Sequence, residues 1–115
     1  MPYLTTGLID NTTVESVRQS SRLSVEIANE DTSTVAIQIE GFLLSGTTKV
    51  KYVDEFFTLA AGTVDLRNYY VHFDAYEFQF FVSSQFVHVS AWGKNGVGKI
   101  TSAYQVVIEE VGRFI

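Results

Sequence analysis

The sequence predicts an all-β chain: an antiparallel β-sandwich or jelly roll of seven or eight strands, preceded by an extended N-terminal arm. Three observations lead there. Apolar and polar residues alternate with a period of two along most of the chain. Turn signals recur every 8–12 residues or so, the spacing of sandwich strands. No stretch keeps helical spacing for long. The arm takes residues 1–19 and the sandwich residues 20–115.

Leu23, Val25 and Ile27 alternate with Arg22, Ser24 and Glu26, giving a first strand with one apolar face. The polar run Asn29 to Ser33 turns the chain. Val35, Ile37 and Ile39 then alternate with Ala36, Gln38 and Glu40, and Gly41 is placed for a bulge before Phe42-Leu43-Leu44. Ser45-Gly46-Thr47-Thr48 is the next turn. Val50 and Tyr52 follow, then Phe56-Phe57-Thr58-Leu59, and Ala60-Ala61-Gly62 breaks the pattern again. Val64 and Leu66 lead into Tyr69 to Phe73. The clearest strand sets Tyr76, Phe78, Phe80 and Val82 on one face, with Glu77, Gln79 and Phe81 on the other. Val87, Val89 and Ala91 form the next strand. Asn95-Gly96 opens a hairpin turn, and one long strand from Ile100 to about Val111 is expected to close the domain.

The arm is rich in Ser and Thr, with isolated apolar residues Tyr3, Leu4, Leu8, Ile9, Val14 and Val17. Terminal segments fray unless something holds them. This one either docks on its own domain or adds a strand to the sheet of a neighbouring subunit. Burying Tyr3, Leu4, Leu8 and Ile9 would stabilise by about 1.5–3 kcal/mol each. Ordering some ten residues costs about 1–2 kcal/mol apiece, so an arm alone is marginal.

The totals exclude several classes. With 115 residues and 46% hydrophobic content, one domain can bury a core and disorder is not expected. The net charge is −5 and the eight Lys and Arg are scattered, so no basic footprint for nucleic acid is visible. The absence of Cys removes disulfides, thiolate nucleophiles and Cys-ligated metals. Residues 1–15 carry no Lys or Arg and no apolar run of seven, so no signal peptide is expected. No apolar stretch approaches the ~20 residues of a membrane helix. Asn11-Thr12-Thr13 fits a glycosylation sequon, read as incidental without a secretory signal.

Motifs that could carry chemistry mostly dissolve. Gly93-Lys94-Asn95-Gly96-Val97-Gly98-Lys99 matches seven positions of a phosphate-binding P-loop. Ile100 stands where Ser or Thr should hold Mg²⁺, and a strand follows where a helix should. A hairpin is the better reading. His72 and His88 lack companion ligands, so no metal is expected. His88-Val89-Ser90 has neither an acid partner nor a strained turn. Adjacent carboxylates at Glu30-Asp31, Asp54-Glu55 and Glu109-Glu110 point to opposite strand faces and cannot flank one bond. Phe86, His88 and Trp92 share one strand face, where Phe86 and Trp92 could form an aromatic platform for sugars or be covered by protein. Phe81, Phe42 and Leu44 oppose the core faces of their strands, more apolar surface than a free sandwich needs.

From Arg22 onward the layout resembles small β-sandwich proteins of bacterial spore surfaces, endospore appendage fibre subunits and exosporium-associated domains. The similarity lies in Thr58-Leu59-Ala60-Ala61-Gly62 before a strand, in Tyr76-Glu77-Phe78-Gln79-Phe80, and in Val87 to Lys94 running into Ala103-Tyr104-Gln105-Val106-Val107. The resemblance implies a jelly-roll-like subunit whose N-terminal arm threads into the next copy to make a fibre, on a spore surface or extracellular appendage. This chain departs from the better-known members in lacking the cysteines that cross-link their arms.

The expectation is a non-enzymatic, self-associating structural subunit, without cofactor or metal. Its partners would be other copies of itself and an anchoring or tip protein, with neither nucleic acid nor membrane. Tyr3, Leu4, Leu8, Ile9 and Val14 would form the arm interface, and removal of residues 1–15 would leave a folded monomer. The alternatives are a carbohydrate-binding sandwich using Phe86 and Trp92, or a viral or phage coat or tail component.

Overall fold

Among the described residues ten strands form, and the apolar faces of three of them, Arg22–Asn29, Val35–Ser45 and Ala75–Val82, meet in one core. The computed structural model describes residues 3–13, 18, 20–95, 100–104 and 107–108. The strands are β1 (Tyr3–Thr5), β2 (Ile9–Asp10), β3 (Arg22–Asn29), β4 (Val35–Ser45), β5 (Thr48–Leu59), β6 (Val64–Tyr70), β7 (Ala75–Val82), β8 (Val87–Lys94), β9 (Ile100–Tyr104) and β10 (Val107–Ile108). They make two antiparallel sheets. One runs β10-β1-β7-β4-β5, with β2 also paired to β7; the other runs β6-β3-β8-β9.

Leu23, Val25 and Ile27 of β3 are fully buried, as are Ile37 and Ile39 of β4 and Tyr76, Phe78 and Phe80 of β7. Side chains from both sheets join one cluster, the arrangement of a sandwich-like core. Burying each large apolar side chain stabilises by about 1.5–3 kcal/mol. Aromatic edges lock the centre: Phe78 lies 4.9 Å from Tyr69 and 6.3 Å from Tyr76, ring centre to ring centre.

Two glycines are required where the sequence places them. Gly46 has φ +62° in the two-residue link between β4 and β5, a backbone that side chains resist. Gly41 sits at the register shift between β4 and β5. A Cβ there would lie 2.7 Å from the Phe78 ring and 2.9 Å from the Val53 Cβ. The extra residue is Tyr52 on β5 rather than Gly41 as expected, and Gly41 is the point where a core aromatic meets backbone.

Two expectations are corrected. The long closing strand is divided: β9 pairs with β8 in one sheet, whereas β10 pairs with β1 in the other. Residues 105–106 and 109–111 of the expected strand lie outside the described residues. The leading residues are likewise no appended arm, since β1 is an interior strand between β7 and β10. Antiparallel pairing of β8 with β9, Lys94 opposite Ile100, is the hairpin read in place of a P-loop; its turn at residues 96–99 lies outside the described residues.

Gly41→Ala should cost about 1–3 kcal/mol through the Phe78 and Val53 contacts. The corresponding fall in melting temperature, measured by circular dichroism, is about 4–8 °C per kcal/mol.

Candidate functional site

The residues expected to dock in a neighbour are mostly sheltered by their own chain. Leu4 pairs opposite Phe80 and packs partly buried against the core, and Ile9 is 8% exposed within it. Tyr3 lies on the other face, its ring 4.5 Å from that of Phe81. Leu8 alone among the described members of the set is open, at 53% exposure; Val14 lies outside the described residues. Gly7, at φ +68°, bulges the chain between β1 and β2 and donates its N–H to Thr5 Oγ1. Across that bulge Thr6 N–H donates to the Phe78 carbonyl, and Phe78 N–H donates to Thr6 Oγ1.

Asn11 then fastens the segment. Its buried amide Nδ2 donates to the carbonyls of Ser20, Val71 and Phe73, and its Oδ1 accepts from Ser20 N–H. Arg18 adds a bond to the Asn11 carbonyl and an ion pair to Asp74. The sequon asparagine is therefore a structural pin, with no free amide to carry a glycan. At the opposite turn Asn29 plays the same part, donating to Ser33 and Leu59 carbonyls and accepting from Asp31 N–H.

A polar cluster that alternation alone misses lies on the outer face of the first sheet. Glu77 points away from the core yet is only 5% exposed. Its carboxylate accepts from Thr5 Oγ1 at 2.5 Å, from Lys49 Nζ, and from Gln79 Nε2 at 3.3 Å. Burial opposes its ionisation, but these donors outweigh burial and hold the carboxyl below the usual glutamate range. The cluster ties β1, β5 and β7 together across one face. The signal available in sequence was Glu77 within an aromatic strand; its partners come from 72 and 28 residues away.

The proposed aromatic platform is not assembled. Phe86 sits in the turn before β8 at 53% exposure, while Trp92 is half-buried near the other end of that strand. The strand from Val87 to Trp92 alone spans roughly 17 Å. The Trp92 indole Nε1 is shielded and has no hydrogen-bond partner among the described residues. His88, between them, faces solvent beside Glu30, Nε2 to Oε2 2.9 Å. His72 is exposed elsewhere, and no described group of three or more His, Asp or Glu could hold a metal.

Exposed apolar side chains gather instead on the edge strands. β5 carries Phe56 at 70% exposure and Val50 at 43%. On β6 the usual alternation is inverted. Val64, Leu66 and Tyr70 face solvent at 57%, 63% and 60%, while Asp65 and Arg67 turn inward. The inward charges are satisfied: Arg67 Nε lies 2.6 Å from Asp65 Oδ2, its Nη1 3.3 Å from Glu55 Oε1, and its guanidinium 3.8 Å over the Phe57 ring. Tyr69 donates to Glu55 at 2.6 Å. Burial first, then that bond, pushes its hydroxyl far above the ordinary tyrosine range, so it remains a donor.

No family model matches the chain, and no curated protein matches it. Among solved structures, the crystal structure of Thermotoga maritima 1070 is similar at 16% identity and a TM-score of 0.49, over 94% of this chain and 90% of that one.

Deleting residues 1–12 should abolish the cooperative melt rather than release a folded monomer. It removes the burial of Leu4 and Ile9 and the Asn11 bonds, several kcal/mol of a typical total of about 5–15. A synthetic peptide of residues 1–13 added in excess should restore the melt. A second expectation concerns acid. Because Glu77 binds its proton less readily folded than unfolded, its stabilisation is present above its ordinary pKa of 4.5 and disappears as pH falls through its lower folded value. In denaturant titrations from pH 7 to pH 2, Glu77→Gln should be less stable at neutral pH and lose less on acidification. Part of the acid slope should remain, because Asp10 and Asp31 also titrate low through bonds from Thr12 and Ser84 respectively.

Proposed function

We propose that this jelly-roll-like sandwich is a non-enzymatic structural subunit that works by associating with copies of itself. The observation that carries the reading is the inverted face of β6. A solvated strand normally sets its polar residues outward, and this one presents Val64, Leu66 and Tyr70. Apolar surface on an edge strand favours association, because covering it removes it from water and pairs the open backbone.

The arm is a weaker connector than the edge. To join a sister copy it would leave the slot beside β7 and regain the same Leu4, Ile9 and Asn11 contacts there, an exchange with no new burial. Pairing at a free edge adds contacts. Assembly into a fibre or surface appendage, with an anchoring or tip protein and an extracellular or spore-surface location, is the extended form of this proposal, supported by the resemblance of layout. Such a fibre needs a second contact, for which Phe56 on β5 offers exposed apolar surface.

Light scattering across a concentration series should show a mass that rises above 12.9 kDa toward a multiple of it. A particle that stays at that mass at the highest attainable concentration would defeat the proposal.

A further inference from the structure

The open side of β6 has a definite hydrogen-bonding pattern. At one end of the β3–β6 ladder Asn29 N–H donates to the Thr63 carbonyl, and at the other Val71 N–H donates to the Ser21 carbonyl. The register between is continuous, so the odd-numbered residues of β6 bond β3. The backbone groups of Val64, Leu66 and Asn68 therefore point away from β3, toward the side on which no described strand pairs. Tyr52 Oη donates to the Tyr70 carbonyl at 2.5 Å and bounds that open stretch.

The edge also lacks several of the usual protections. Open edges are normally blunted by lysine, proline or a bulge. The outer strand of the first sheet, β5, has Lys49, Lys51 and the irregularity opposite Gly41. β6 has no lysine, no proline and no register shift. Its inward charges, Asp65 and Arg67, bond to each other rather than guarding the edge.

Resting on the self-association proposed above, we infer that two copies join β6 to β6, antiparallel, about a twofold axis at Leu66. In this register Leu66 faces Leu66 of the second copy, and Val64 faces Asn68 of the second copy. These are the residues whose backbone groups are free, so each such pair exchanges both of its bonds. Asp65 falls opposite Arg67 of the second copy, and by symmetry Arg67 falls opposite Asp65. A slip of two residues one way sets Arg67 against Arg67, and the other way sets Asp65 against Asp65. Like charges directly opposite are unfavourable, so the order acid–leucine–base selects the Leu66-centred register. The second copy supplies what the strand lacks: a cover for Leu66 and acceptors and donors for the free backbone. The contact is isologous and closes at two.

Two variants isolate the register. Asp65→Arg and Arg67→Asp each place like charges opposite one another in a homodimer, and each should weaken self-association at least tenfold. Mixed, they restore opposite charges at both positions, and light scattering should show a dimer that neither forms alone. Circular dichroism melts establish that each variant is folded. Should Arg67→Asp fail to fold because Glu55 loses its partner, amide exchange of the unaltered chain by NMR decides. The Val64, Leu66 and Asn68 amides should become protected as concentration rises, while those of Asp65 and Arg67 are already protected in the monomer. If the mass rises but these three amides stay unprotected, or the mixed variants do not pair, another surface joins the copies and this register is wrong, with self-association intact. If the mass never rises, both fail together.

Discussion

The segment from Tyr3 to Asn11 is held in its sheet by polar groups that have no water to fall back on. The Asn11 amide is 3% exposed and has four backbone partners. Breaking the arrangement would remove donors from the carbonyls of Ser20, Val71 and Phe73 and leave the buried Asn11 amide itself unpaired, which is costly. Because Asn11 is fixed, Ile9 is fixed in the core and β1 is fixed between β7 and β10. That in turn places Thr5 where its hydroxyl donates a hydrogen bond to the buried Glu77 carboxylate. The first sheet therefore includes its own leading strand, while β5 and β6, at the outer ends of the two sheets, carry exposed apolar residues.

Much of this was legible in the residues. Period-two alternation located β3, β4, β7 and β8 with the correct faces inward, because a strand with one apolar face has only one way to bury it. Gly41 was recognisable as the place where pairing shifts, though not that the extra residue is Tyr52 on β5 or that Phe78 meets the backbone there. The leading segment was harder. Its apolar residues are too sparse to define a face, and its partners stand far along the chain, so cis docking and docking in a neighbour looked alike. The division of the last strand between two sheets left no mark in the alternation, since both halves are β-rich. Glu77 and Asn11 were hidden for a related reason: nothing local shows that a polar side chain will be buried with its partners.

Phe86 lies in the turn before β8 and Trp92 near the other end of that strand, so the face they share in the alternation does not bring them together. β6 taught the reverse lesson. Read by apolar content alone, Val64 and Leu66 would be assigned inward. They face outward because Arg67, paired with Asp65, finds Glu55 and Phe57 beneath it, and because Tyr69 takes the core position beside Phe78. A one-residue change of register would invert every side chain, so satisfied inward charges fix the greasy residues on the outside.

The place of β1 also governs the order in which the molecule can be made. Leu4 lies opposite Phe80 and Ile108, both far downstream. At roughly 5–20 residues per second, about 4–15 s of synthesis separate Leu4 from Phe80. Hairpins such as β4–β5 can close as soon as they emerge, whereas the leading strand must wait. Its insertion is a late, non-local step, slow because so much chain must be gathered before any contact rewards it. Until then the flank of β7 stays open, and a nascent chain is most exposed to chaperones, or to another nascent chain, at that seam.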